Sequence, residues 1–455
     1  MAVRPGDGDP MSDTRPGRTA YINAHIVDPS SGRDDPPSPS GGLLSAGEAI
    51  AAIGPDIFAG GPPADATVID CHGAVLAPGL VDIRVDFCEP GAEYKEDIAS
   101  GSASAAAGGV TSVVMMPNTD PVVDDAAVVE FIARRAREVK LVKVYASAAI
   151  TRGCDSNELS EMGLLKAAGV VAFTNGTNTL ADAKTMVRAL KYASTFGALI
   201  VQHPEEPTLA GGGVMQSGEI ATRLGLPGIP REAEAIQLDR DLALVDMTHG
   251  RFHAAHISTA AGVERIRRAK AAGLDVTCDT APPYFALNEL AVGDYRTFAK
   301  LSPPLRAEED RQAIVAGLAD GTIDIIASDH MPQNQDSKRL PFEQAEFGAV
   351  GLETLLPMTL ELVHNGHLSL IDALACVTSR AAARFGLPAG TLAVGTPADL
   401  VLFDRDRPGR IAAETFRSKS KNSPFDGRLI QGMVLRTVVD GRTVFAAVPA
   451  AAAAA

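Results

Sequence analysis

The run Ala77-Pro78-Gly79-Leu80-Val81-Asp82-Ile83-Arg84-Val85-Asp86-Phe87-Cys88-Glu89-Pro90-Gly91 holds a mostly apolar strand, residues 80–87, that passes straight into a Pro/Gly turn. Apolar runs of this length bounded by turn residues read as strands buried on both faces. The turn puts the last side chains, Arg84, Asp86 and Cys88, at a mouth rather than in a core.

Outward from this run the same pattern repeats. Short apolar strands are expected at 111–116, 142–149, 170–174, 198–203, 252–257, 275–280 and 323–329, alternating with Ala-rich helical stretches such as 124–139, 180–196 and 260–272. Together with 80–87 these make eight βα units, which a closed (β/α)8 TIM barrel requires. A doubly wound sheet is the alternative; eight regular units favour closure. The barrel is expected over 79–391, with 370–385 as its last helix. Short alternating segments at 20–26, 49–53 and 67–70, with a Pro/Ser loop at 34–42, predict a small β-unit over 18–78. Strands return at 399–403, 433–439 and 442–445, so 392–448 is expected to complete a small β-sandwich domain built from both termini. Residues 1–17 lack periodicity and read as a disordered tail, with a second tail at 449–455.

Composition narrows the function classes. The formal net charge of −15 and the lack of a basic face exclude a nucleic-acid partner. No apolar run approaches the roughly 20 residues of a membrane span, and no signal-peptide pattern opens the chain. The five cysteines (71, 88, 154, 278 and 376) are scattered without CxxC pairs, which predicts a reduced, cytoplasmic protein without disulfides.

Five further runs carry a family resemblance. They are Gly91-Ala92-Glu93-Tyr94-Lys95-Glu96-Asp97, Met116-Pro117-Asn118-Thr119-Asp120-Pro121-Val122, Pro303-Pro304-Leu305-Arg306-Ala307-Glu308-Glu309-Asp310, Gly351-Leu352-Glu353-Thr354 and Ser418-Lys419-Ser420-Lys421-Asn422-Ser423-Pro424-Phe425. In this order they resemble the type I dihydroorotases, cyclic amidohydrolases of the metal-dependent hydrolase superfamily. The resemblance covers about residues 19 to 446. Gly395-Thr396-Pro397-Ala398-Asp399-Leu400-Val401 likewise resembles the superfamily's "GxxADLV" strand. What it implies is a (β/α)8 barrel with a small β-domain, acting on cyclic amides in pyrimidine biosynthesis through zinc at the strand ends.

Residue by residue, the implied chemistry is incomplete. The first strand of the family reads "PGLVDIHVHLREPG", so Arg84 and Asp86 stand where it has two metal-binding histidines, and Cys88 where an arginine clamps the substrate carboxylate. Asn175, in Ala172-Phe173-Thr174-Asn175-Gly176, replaces the acidic residue that bridges two metals. His203, His256 and Asp329 match the ligands of strands five, six and eight, and Asp329 is also the general base of an active member. Asn118 matches a substrate contact. "TPHH" becomes Ala281-Pro282-Pro283-Tyr284, and "DHAPH" becomes Asp329-His330-Met331-Pro332-Gln333.

Arginine is permanently cationic and has no lone pair for zinc. Arg84 either fills the metal position, pairing with Asp86, Asp329 or both, or points to solvent. Cys88 reads as a small buried residue or a nucleophile, Asn175 as a turn residue, and His253 as structural. Two functions are carried forward. One is a catalytically inactive dihydroorotase-like chain that persists as a structural or regulatory partner of aspartate transcarbamoylase or of an active dihydroorotase, itself a homo-oligomer and holding no zinc. The other is an active dihydroorotase or related cyclic-amide hydrolase with at most one zinc per chain, on His203, His256 and Asp329, with Asp86 available as a fourth ligand. A metal-free enzyme using Cys88 or Arg84 completes the set.

Overall fold

A computed structural model describes residues 17–447. The N-terminal strands are β1 (Arg18–Ile22), β2 (His25–Asp28), β3 (Arg33–Asp35), β4 (Gly42–Ala46), β5 (Ala49–Gly54), β6 (Ala66–Asp70) and β7 (Val75–Pro78). The parallel set follows: β8 (Leu80–Val85), β9 (Val110–Met115), β10 (Lys143–Ala148), β11 (Ala172–Phe173) and β12 (Ile200–Gln202). After an excursion with β13 (Met215–Gln216) and β14 (Gly228–Ile229) come β15 (Phe252–Ala254), β16 (Val276–Thr280) and β17 (Ile325–Ile326). The chain ends on β18 (Leu400–Arg410), β19 (Leu429–Val439) and β20 (Arg442–Ala446).

Eight parallel strands run in the order β17-β16-β15-β12-β11-β10-β9-β8. A parallel bridge between Val85 and His330, with the Asp86 N–H donating to the His330 carbonyl at 2.8 Å, draws the first strand against the segment after the last. This is the TIM barrel expected from the eight units, with helices between successive strands. The strands bury both faces, which is why they read as unbroken apolar runs: Val81, Ile83, Met116, Val201 and Ile325 pack in one cluster, while Leu80, Val113, Phe173 and Ile200 pack in another with the helices.

Two further sheets, β5-β4-β1-β6 and β20-β19-β18-β7-β2-β3, hold the terminal segments. The second joins strands from both ends of the chain. Only Gly79 separates β7 from β8. A Cβ there would lie 2.1 Å from Thr111 Cγ2, so glycine is what lets the strand cross from one sheet to the other.

Several expectations need correction. The segment 20–26 is two strands, because Asn23 turns the chain at φ 54°. The expected loop at 34–42 opens with the end of β3. The helix 370–385 is two, Leu370–Cys376 and Ser379–Phe385, split where the Val377 carbonyl accepts the Val81 N–H at 2.8 Å. β18 and β19 extend well beyond 399–403 and 433–439 as a long antiparallel hairpin. The tails expected at 1–17 and 449–455 lie, except for Gly17, outside the described residues. Among the described residues no helix is long and apolar enough to cross a membrane.

Candidate functional site

Every candidate residue sits at the C-terminal end of the barrel strands, the face on which such barrels carry their chemistry. Arg84 is the fifth residue of β8, His203 directly follows β12, His256 lies two residues past β15, and Asp329 three past β17.

Arg84 is buried, at 4% exposure, so the solvent-facing reading is overturned. Its Nε donates to Asp329 Oδ1 at 3.1 Å and its Nη1 lies 3.4 Å from Met116 Sδ. Asp86 is not its ion-pair partner; that carboxylate lines a cavity of about 410 Å³ together with Cys88, Lys95, Asn118, Ser302 and Glu346. Burial pushes the Asp86 carboxyl up to about 6, against the pull of the Arg84 charge.

The His256 and His203 rings stand beside one another, their centroids 5.9 Å apart. His256 Nε2 is 3.8 Å from Asp329 Oδ1 and its Nδ1 is 3.5 Å from Asp279 Oδ1, but neither nitrogen makes a hydrogen bond. His203 Nδ1 is also without a partner, and its Nε2 is 3.5 Å from Ser302 Oγ. Burial, with the Arg84 charge second, holds the His256 ring well below the usual histidine range. Cys88, His256 and Asp329 all hold left-handed backbone, at φ 57°, 54° and 50°. Such conformations cost about 1–3 kcal/mol each in residues other than glycine, and the three cluster at one mouth.

Cys88 Sγ donates to its neighbour's carbonyl, Asp86 O, at 3.7 Å, and burial pushes the thiol far up. A thiol held protonated is a poor nucleophile. Asn175 turns away from the site. Its Oδ1 accepts the N–H groups of Ile150 and Thr151 at 3.0 and 3.2 Å, and its Nδ2 donates to Thr151 Oγ1 at 2.9 Å. Asn175→Ala should therefore cost about 2–3 kcal/mol by orphaning two buried N–H groups, read as a lower urea midpoint. A change below about 0.5 kcal/mol would mean that water or a shifted loop satisfies them. Asn118 Nδ2 donates to the Asn175 carbonyl at 3.2 Å while the side chain lines the cavity.

The supporting groups escaped the sequence reading. Asp279, fully buried on β16, accepts the His256 N–H at 3.0 Å and lies 2.8 Å from His253 Nε2; His253 Nδ1 is 2.8 Å from Thr277 Oγ1. That fixes His253 as a structural residue. Burial raises the Asp279 carboxyl, but His256, His253 and the N–H hold it below the usual carboxylate range. Asp82 accepts the N–H groups of Arg84 and Ser328, at 3.2 and 3.1 Å, and burial pushes it up to about 6. Glu234, in helix Glu232–Thr248, accepts four hydrogen bonds from Ser258 and Thr259. The one available signal was for Asp82 and Asp279, each an acidic residue inside an otherwise largely apolar strand.

Zinc does not fit the residues as they stand. Among the described residues no three His, Cys, Asp or Glu side chains gather around a common metal position. The buried Arg84 guanidinium is paired with Asp329, its Nε 3.1 Å from Oδ1, and Asn175 has its oxygen committed to a loop.

Two family models match the chain: "Dihydro-orotase-like" over residues 73–261 and "Amidohydrolase family" over residues 245–445. The dihydroorotase of Syntrophotalea carbinolica is 46% identical over 93% of this chain and 98% of its own length. That of Anaplasma phagocytophilum is 45% identical over 94% and 95%. Among solved structures, the L-hydantoinase (dihydropyrimidinase) of Arthrobacter aurescens superposes with a TM-score of 0.83 at 26% identity, covering 94% of this chain and 97% of that one.

Proposed function

Since the chain belongs to the dihydroorotase family of pyrimidine biosynthesis, we propose that it is a member without catalytic activity, retained as a structural or regulatory partner of aspartate transcarbamoylase or of an active dihydroorotase. The observation that carries this reading is the buried Arg84–Asp329 pair, with Nε and Oδ1 3.1 Å apart. Opening a cyclic amide needs an activated water and a polarised carbonyl. A zinc ion bound at such a mouth supplies both, lowering the pKa of its water to about 7. A guanidinium carries charge but no coordination site for water, and here it also engages the carboxylate that would act as general base. Cys88 cannot make the bidentate contact by which an arginine holds a carboxylate. The losses are confined to the mouth, while the barrel and its supporting acids are intact. Selection on a surface rather than on turnover leaves that pattern.

A second reading, an active hydrolase with one zinc on His203, His256 and Asp329, is favoured by the unpartnered imidazole nitrogens and by the activity named for the relatives. One measurement separates the two: metal content of protein purified without chelators, with dihydroorotate turnover assayed on the same sample plus Zn²⁺. The proposal expects near-zero metal, no turnover, and co-purification with aspartate transcarbamoylase or an active dihydroorotase. About one tightly held zinc per chain with measurable turnover would overturn it.

A further inference from the structure

We propose that residues 334–347 are a strap over the rim of the mouth cavity, fastened by two buried lysines, Lys338 on the strap and Lys300 beneath it, and that the strap loosens as the pH falls toward neutrality. Glu346 and Phe347, at the end of the strap, line the cavity beside Asp86 and Lys95. The inference goes beyond the reading above, because a strap gates the cavity whether or not the mouth is catalytic.

The fastening is unusual in its chemistry. Lys300 is 2% exposed and Lys338 4%, on a segment where Asp336, Arg339, Leu340 and Glu343 are all exposed. Among the described residues neither ammonium is paired with a carboxylate; backbone carbonyls hold both. Lys300 Nζ donates up into the strap, to the carbonyls of Phe342 and Glu343, both at 2.9 Å. Lys338 Nζ donates to the Glu346 carbonyl at 2.6 Å, and down to those of Thr297 and Lys300 at 3.1 and 3.5 Å. Lys300 Nζ also stands 4.6 Å from the centroid of the Phe347 ring. Three lighter contacts complete the closure: Thr297 Oγ1 to the Lys338 carbonyl at 2.6 Å, the Gly348 N–H to that of Lys300 at 3.0 Å, and Gln333 Nε2 to that of Phe347 at 2.8 Å.

Carbonyl cages satisfy the N–H donors but supply no opposite charge, so two like charges are buried together. The charged groups facing Lys338 are Lys300 from below and Glu346 on the strap itself; Glu343 and Glu346 face Lys300. Burial first, and the Lys300 charge second, push the Lys338 ammonium down to about 7, against the pull of Glu346. An opened strap puts Lys338 in water, where a lysine keeps its proton up to about pH 10.4. As the pH falls from about 10 to 7, the open form therefore takes up a proton that the closed form refuses. Opening gains up to about tenfold per pH unit, and levels off below pH 7, where both forms are protonated.

Trypsin reads the opening, because Arg339 is exposed but cleavage needs the residues around it to detach. The rate of cutting after Arg339 in the full chain, identified by mass spectrometry, is divided by that of a synthetic peptide of residues 332–348 at the same pH. In the parent this ratio is expected to fall at least about tenfold between pH 7 and pH 9. Lys338→Gln keeps an N–H donor without the charge, and its ratio, taken against the matching peptide, should stay within about twofold over the same range. If circular dichroism shows that Lys338→Gln does not fold, Lys338→Met serves with the same expected outcome. A parent ratio that is equal at the two pH values overturns the proposal, and so does an equal fall in the neutral variant.

Discussion

Glu234→Ala is expected to lower stability by about 3–5 kcal/mol, among the largest effects of any single side chain near the mouth. Glu234 Oε2 accepts the Ser258 N–H and hydroxyl at 3.0 and 2.5 Å, and Oε1 accepts the Thr259 N–H and hydroxyl at 3.1 and 2.6 Å. Arg306, also buried, donates to Ser258 Oγ at 3.0 Å and to Gln216 Oε1 at 2.6 Å. Removing the carboxylate strands two backbone donors and frees the Ser258 hydroxyl that Arg306 donates to. The loop it holds is the one that follows His256 and caps helix Ala260–Ala271 through Thr259. A urea titration followed by far-UV circular dichroism should show the midpoint fall with the slope unchanged. A loss below about 1 kcal/mol would mean the network is redundant.

Asp241→Asn should act in the opposite sense at high pH. Asp241 is fully buried, and burial pushes its carboxyl up to about 7 despite the neighbouring Arg240, whose Nη2 lies 2.7 Å from Oδ1. Between roughly pH 4 and 7 the folded chain keeps a proton that the unfolded chain has released, so stability falls as pH rises through that window, by up to about 1.4 kcal/mol per pH unit. Above pH 7 the full penalty for a buried carboxylate is present. An amide carries no such penalty, and Arg240 keeps the carbonyls of Leu180 and Ala181 as acceptors. The variant should therefore gain on the order of 2–4 kcal/mol over the parent at pH 8 and less than half of that at pH 5. Urea midpoints at the two pH values check this. An equal effect at both would show that packing, not ionisation, decides it.

All eight barrel strands were legible because burial on both faces writes each as an apolar run, Leu199-Ile200-Val201 being typical. The split at Val377 was not, because it is set by a hydrogen bond to Val81, almost 300 residues earlier. Nor was the turn at Asn23, where a left-handed residue interrupts a run that alternates like one strand. At the site, the conflict between a fixed cation and metal ligands could be read from Arg84 alone, as residue chemistry. Its choice of Asp329 over Asp86 could not, since both carboxylates stand at strand ends and only their side-chain directions differ. Asp279 and Glu234 were missed for the same reason: each holds backbone donors more than 20 residues away, a relation no local pattern records.

The passage from β7 through Gly79 into β8 has a consequence for how the chain is made. β7 lies between β2 and β18 in the six-stranded sheet. As the chain leaves the ribosome, the first barrel strand is complete more than 300 residues before β18 exists to flank its neighbour. That edge, with Val75 to Pro78 apolar and buried in the finished fold, stays open through nearly the whole of synthesis. Non-local closure of this kind is slow and exposes strand edges. Nascent chains arrested before residue 400 should thus engage chaperones through this segment, and release should follow translation of the β18–β19 hairpin.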